Sequence, residues 1–171
     1  MKSEVMSRSK IYKIYNDIAL KNEIIIFGSS YTAKFPFYEL SKKYLLSNAI
    51  YNRSIEGITL YEASKILNDC VLDAKPAKIF YAFEYDPQSD ITALESYKEI
   101  LHKTKETLPF AKIFVLSAPN TGNEINKFNV SLSELCFENN IQFININYSN
   151  SYESIFKQLS PFLRNGKINF T

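Results

Sequence analysis

Apolar and polar positions along the chain fall into two alternating patterns. Short, nearly continuous apolar runs occupy residues 23–28 (EIIIFG), 48–52 (NAIYN), 78–83 (KIFYAF), 112–117 (KIFVLS) and 141–146 (IQFINI). Runs of this kind, rich in β-branched and aromatic residues and lacking in/out alternation, predict strands covered on both faces, as in a parallel sheet. Between them lie segments with helical spacing: 9–20, 36–46, 59–73, 90–107, 124–139 and 151–163. The first places Ile11, Ile14, Tyr15 and Ile18 on one stripe, and the fifth does the same with Ile125, Phe128, Leu132 and Leu135. Thr59 followed by Glu62 has the spacing of a capping box, and Asp90 stands where a helix N-cap is expected.

Strictly alternating strands and helices predict a three-layer α/β/α sandwich with right-handed crossovers and a five-stranded parallel sheet. No repeat, low-complexity tract or linker interrupts the pattern, so residues 1–171 are expected to form one domain, with the helix 9–20 preceding the first strand. In such sheets ligands sit beyond the carboxyl ends of the strands, which directs attention to the loops that follow them.

Composition narrows the partners. The 171 residues include 20 basic and 18 acidic side chains, a formal net charge of +2, which offers no reason to expect nucleic acid or an anionic membrane. There is no apolar run of the roughly 18 residues a membrane span needs, and Met1 to Lys10 lacks the apolar core of a secretion signal. A cytoplasmic protein is expected. Cys70 and Cys136 are far apart and without metal-type spacing, consistent with reduced structural thiols. Asn-x-Ser/Thr triplets begin at Asn52, Asn129, Asn147 and Asn169, as chance allows in an Asn-rich chain. No cofactor is indicated.

After the first strand come Gly28, Ser29 and Ser30. Gly28 suits a tight strand-to-helix turn, and the serines are either helix caps or reactive hydroxyls. After the second come Asn52, Ile55 and Gly57. Gly57 either shapes a turn or offers a bare backbone N–H to an anion. After the third come Glu84, Tyr85, Asp86 and Asp90, whose carboxylates are either loop charges and a cap or ligands for a divalent cation. Asn165-Gly166 near the end signals a turn.

Taken together, these segments resemble the SGNH (GDSL-type) hydrolases from residue 23 to residue 170. IIIFGSS is similar to the first block, whose last serine is the nucleophile, here Ser30. Asn52, Ile55 and Gly57 match the second block, Asn-x-x-Ile-x-Gly, whose glycine N–H belongs to the oxyanion hole. The chain has only four glycines, and Gly28, Gly57 and Gly166 fall at block positions. The resemblance implies strand order 2-1-3-4-5, a flavodoxin-like sheet, and a pocket for a small acyl or carbohydrate ligand involving Gly28, Ser29, Asn52 and Asp86.

The pattern fails elsewhere. In the third block, Gly-x-Asn-Asp, Tyr85 stands at the oxyanion asparagine and Asp86 at the aspartate. In the fifth, Asp-x-x-His, Asn165 and Ile168 replace the orienting acid and the general base. The single histidine, His102, falls in a helix away from the strand ends. Lys167 or Lys34 would have to serve as a substitute base, and a lysine does so only when desolvated. The resemblance thus implies a hydrolase-like protein with an incomplete triad. The alternatives are an active serine esterase or acyltransferase with a non-standard base, and a flavodoxin-like binding domain whose Ser29 to Thr32 loop holds a phosphate.

Overall fold

The computed structural model describes residues 1–88, 90–119, 121–148 and 151–164. Its strands are β1 (Ile24–Gly28), β2 (Ile50–Asn52), β3 (Lys78–Ala82), β4 (Lys112–Leu116) and β5 (Gln142–Ile144). They form one parallel sheet in the order β2-β1-β3-β4-β5, as the sequence implies. The apolar runs are continuous because both faces are covered. Ile25, Phe27, Ile79, Tyr81 and Val115 point into one core, and Ile24, Ile26, Phe80, Phe114 and Leu116 into the other. Each successive side chain changes face, as the strand period requires.

Helices α3 (Phe37–Lys43) and α8 (Tyr152–Leu163) bring Phe37, Leu40, Ile155, Phe156 and Leu159 to the second core. The first core is built with α4 (Leu60–Lys65), α5 (Leu67–Cys70), α6 (Ala93–Thr107) and α7 (Asn123–Glu138). The stripe expected for α7 is correct: Ile125, Phe128, Leu132 and Leu135 are all buried. Cys70 and Cys136 are buried free thiols; burial pushes the Cys136 thiol up to about 12.

Three expectations need correction. The N-terminal helix α1 spans Ser3–Asn16, not 9–20, and its buried face is Val5, Ser9, Tyr12 and Asn16. Ile14 and Ile18 are exposed, at 66% and 81%. The polar members of the buried face are satisfied instead: Ser9 donates to Asp69 Oδ2 at 2.8 Å and Asn16 Nδ2 to the Asp69 carbonyl at 2.7 Å. The predicted helix 59–73 is broken into α4, α5 and a 3-10 turn at Leu72–Ala74. Thr59 and Glu62 do form a capping box at its start. Asp90 does not cap its own helix; its Oδ2 accepts the N–H of Leu60, the first residue of α4, at 3.3 Å. No helix among the described residues is long and apolar enough to cross a membrane.

Candidate functional site at the carboxyl edge

β1 ends where Gly28 lies opposite Ala82 of β3. Ser29 extends the pairing, its N–H donating to the Ala82 carbonyl at 3.3 Å. The expected cap role fails for Ser29, which stands before the short helix α2 (Ser30–Ala33) but makes no side-chain cap bond. Its buried hydroxyl goes across the sheet edge. Ser29 Oγ accepts the Glu84 N–H at 2.7 Å and donates to Glu84 Oε2 at 3.2 Å. Ser29 therefore staples the loop after β1 to the loop after β3, and Ser30 is carried one residue further, half-buried at the start of α2.

The chain leaving β2 keeps pairing with β1 beyond the strand. Arg53 N–H donates to the Ile26 carbonyl at 2.8 Å and Ile55 N–H to that of Gly28 at 3.0 Å. Asn52 fastens the two loops, donating to the Thr32 carbonyl at 2.8 Å and accepting the Ser54 N–H at 3.1 Å. This lateral pairing brings Gly57 to Ser30: the Gly57 N–H donates to Ser30 Oγ at 2.9 Å. Gly57 has φ +67°, a left-handed conformation that residues with a β-carbon adopt at a cost. The two residues that the resemblance makes nucleophile and oxyanion donor are thus in direct contact.

Beneath this loop lies Arg53, buried with its guanidinium 5.1, 5.4 and 5.6 Å from the ring centres of Tyr12, Tyr15 and Tyr51. Cation–π contact of this kind offsets part of the loss of water around a buried cation. Burial still lowers the guanidinium's pKa. Tyr12 also donates to the Ser54 carbonyl at 2.9 Å, so α1 holds the loop from below.

Other candidates go elsewhere. Tyr85, at the oxyanion asparagine position, lays its ring on Phe128, centroids 4.1 Å apart and 11° between planes. Asp86 is exposed, and its Oδ1 accepts the Gln88 N–H at 3.0 Å. No group of three His, Cys, Asp or Glu side chains among the described residues is placed to hold a metal ion. Asn165, Lys167 and Ile168 lie outside the described residues.

Of the groups considered as bases, His102 is 73% exposed on α6, with Nδ1 3.3 Å from Glu106 one turn on. Lys34 is exposed and pairs with Glu56 at 2.6 Å. That hydrogen bond, and the charge of Glu56, hold the Lys34 pKa above its ordinary value, the wrong direction for a general base.

The sequence reading missed two groups beside Ser30. One is aromatic. Tyr31 meets Tyr148 edge-on, centroids 5.1 Å apart, and Tyr152 at 6.4 Å; the Tyr148 hydroxyl donates to the Ser117 carbonyl at 2.6 Å. Tyr148 follows β5, so the rule that sites lie beyond strand ends could have flagged it. The other is Lys2, whose ammonium donates to the Gly57 carbonyl at 2.6 Å. Nothing in the local sequence signals that contact.

No family model matches the sequence, and no curated protein matches it either. Solved structures do resemble it. A Streptococcus pneumonia protein provisionally named a platelet activating factor superposes with a TM-score of 0.80 at 18% identity, covering 94% of this chain and 92% of that one. A GDSL-like lipase from Bacteroides thetaiotaomicron gives 0.65 at 16% identity, covering 80% and 77%. A psychrotrophic esterase from Pseudoalteromonas sp. gives 0.62 at 17%, covering 84% and 93%. With the strand order and the helices on both faces, these likenesses give the chain the three-layer α/β fold of the SGNH hydrolases.

Proposed function

We propose that this chain is a GDSL-hydrolase-like protein whose ester-cleaving machinery is incomplete, retaining a pocket for an acyl or glycan-borne ester group but hydrolysing simple esters very slowly or not at all. The observation that carries this reading is the 2.9 Å bond from Gly57 N–H to Ser30 Oγ, found in a chain whose single histidine stands exposed on α6. In that bond the serine oxygen is an acceptor, so the contact orients the hydroxyl without removing its proton. A serine attacks a carbonyl at neutral pH only when a neighbouring group with a pKa near neutral takes that proton. Lys34 is unsuited to the task, and the resemblance puts isoleucine at the histidine position. What remains is a donor able to polarise a carbonyl, which by itself leaves a small residual rate over water. That the similar structures include a GDSL-like lipase and an esterase supports an acyl ester as the bound group.

The test is turnover of p-nitrophenyl acetate and butyrate by the wild type and by Ser30→Ala. Wild-type rates close to background, and equal to those of Ser30→Ala, are expected. Turnover at ordinary enzyme rates, roughly 1 to 10³ per second, that is lost in Ser30→Ala would overturn the reading and require an unrecognised base. The retained pocket is tested by titrating p-nitrophenyl butyrate against the Gly57 amide resonance, which should move in the wild type.

A further inference from the structure

We infer that Lys2 is a positioning residue for the Gly57 N–H, an inference that rests on reading Gly57 as the oxyanion donor. Four contacts link the start of the chain to that donor. The Lys2 ammonium donates to the Gly57 carbonyl at 2.6 Å. The Lys2 backbone N–H donates to Glu62 Oε1 at 2.8 Å, and the Lys2 ammonium lies 3.9 Å from Glu62 Oε2. That same Oε2 accepts the Thr59 N–H at 3.2 Å. One carboxylate therefore holds the lead-in to α1 and the start of α4, and Gly57 sits between these two anchors.

Gly57 needs an outside partner because glycine at φ +67° has no side chain to restrict rotation on either side of its α-carbon. Its N–H faces Ser30, and its carbonyl faces Lys2. Fixing the carbonyl limits rotation about the bond that follows the α-carbon, and Ser30 limits the one before it. Removing either bond frees the glycine to turn its N–H away from the place where an ester oxygen would develop charge. A charge-assisted bond to a carbonyl is also stronger than a neutral one.

A plainer role for Lys2 is to anchor α1. That role rests on the backbone bond to Glu62, to which the ammonium adds its 3.9 Å approach to the same carboxylate, so it would register across the fold rather than at the Gly57 amide alone. The Lys2 side chain is 59% exposed, and removing its charge leaves no buried group unpaired, so the fold should persist.

The chain has four glycines, so ¹⁵N-glycine labelling of the full protein gives four amide signals, with that of Gly57 assigned by its loss in Gly57→Ala. In Lys2→Met the Gly57 amide should shift and exchange with water about fivefold faster, the effect of losing one ordinary hydrogen bond. The other glycine signals should hold, and Lys2→Arg should restore the wild-type signal. An unchanged Gly57 amide in Lys2→Met would overturn the inference. So would equal changes at all four glycines with a lowered melting temperature, since Lys2 would then be acting on the whole fold. Ester turnover does not enter this measurement: an active wild type would overturn the disabled-site reading and leave the Lys2 result standing.

Discussion

Gly28 and Ala82 run so close that a β-carbon on Gly28 would stand 2.1 Å from the Ala82 carbonyl oxygen and 2.4 Å from Thr32 Oγ1. Both neighbours are fixed: one is backbone of the central strand β3, the other a buried side chain bonded back to Ser29. Gly28→Ala must therefore push β1 away from β3 at the point where Ser29 begins. A loss of about 3 kcal/mol is expected, at the upper end for overpacking in a core, read as a lower midpoint in chemical denaturation. An unchanged midpoint would mean that the two strands separate freely here.

Gly57 is the opposite case. A β-carbon there has open space, its nearest neighbour being Lys2 Nζ at 4.0 Å, but the left-handed backbone penalises it. Gly57→Val should cost about 1–2 kcal/mol through that strain alone, a modest drop in melting temperature. Its effect on the Ser30 contact should be larger, because the backbone relieves strain by rotating the N–H. Loss of p-nitrophenyl butyrate binding with the fold intact is the expected result. A collapse of the fold with binding retained in the surviving fraction would make Gly57 purely architectural.

Acid should loosen the same corner. Burial raises the Glu62 pKa, but hydrogen bonds from the Lys2 and Thr59 N–H groups and the Lys2 charge together outweigh it, and the net shift is downward. A carboxyl held below its unfolded value stabilises the fold above the ordinary glutamate range, and that stability is lost as pH falls through the lowered value. The stability of wild type should thus decline more steeply on acidification than that of Glu62→Gln, compared by melts from neutral pH downward. Parallel curves would show that the Glu62 contacts contribute no linkage.

Restoring the missing pair addresses the chemistry directly. Asn165→Asp with Ile168→His supplies, at the positions the family resemblance identifies, a base and the acid that orients it. Loss of a triad member lowers rates by about 10⁴ to 10⁶ where dissected, so even partial repair should raise p-nitrophenyl acetate turnover by a measurable factor, and adding Ser30→Ala should abolish the gain. A double variant no faster than wild type would indicate that Ser30 and Gly57 are set for binding alone.

The sheet was legible because burial on both faces leaves a composition signal that does not depend on register: Ile24 to Phe27 read as a strand whichever way each side chain points. Helix faces were less legible. For the first helix the expected apolar stripe Ile11, Ile14, Tyr15 and Ile18 pointed to the wrong side and ran past the end of α1, because Ser9 and Asn16 are buried through bonds to Asp69, 60 and 53 residues away. The breaks after Lys65 and Cys70 carry no Pro or Gly, so tertiary packing sets them. Asp90 looked like a cap for its own helix, and it satisfies the Leu60 N–H instead. At the site, the position of Ser30 and Gly57 at the carboxyl edge was legible because both follow strands; the roles given to them come from the resemblance alone. The stacking of Tyr85 on Phe128 and the reach of Lys2 to Gly57 depend on side chains from distant elements, which spacing does not encode.

The sheet tapers toward both sides, with five-residue strands at its centre and three-residue strands, β2 and β5, at its rims. A free rim is a template on which another chain can continue the ladder, and short rims are one way proteins blunt that hazard. A second copy adding itself along β2 or β5 would find only a few backbone groups to pair with before the chain turns into a loop. The taper therefore disfavours growth of the sheet into strand-by-strand fibrils.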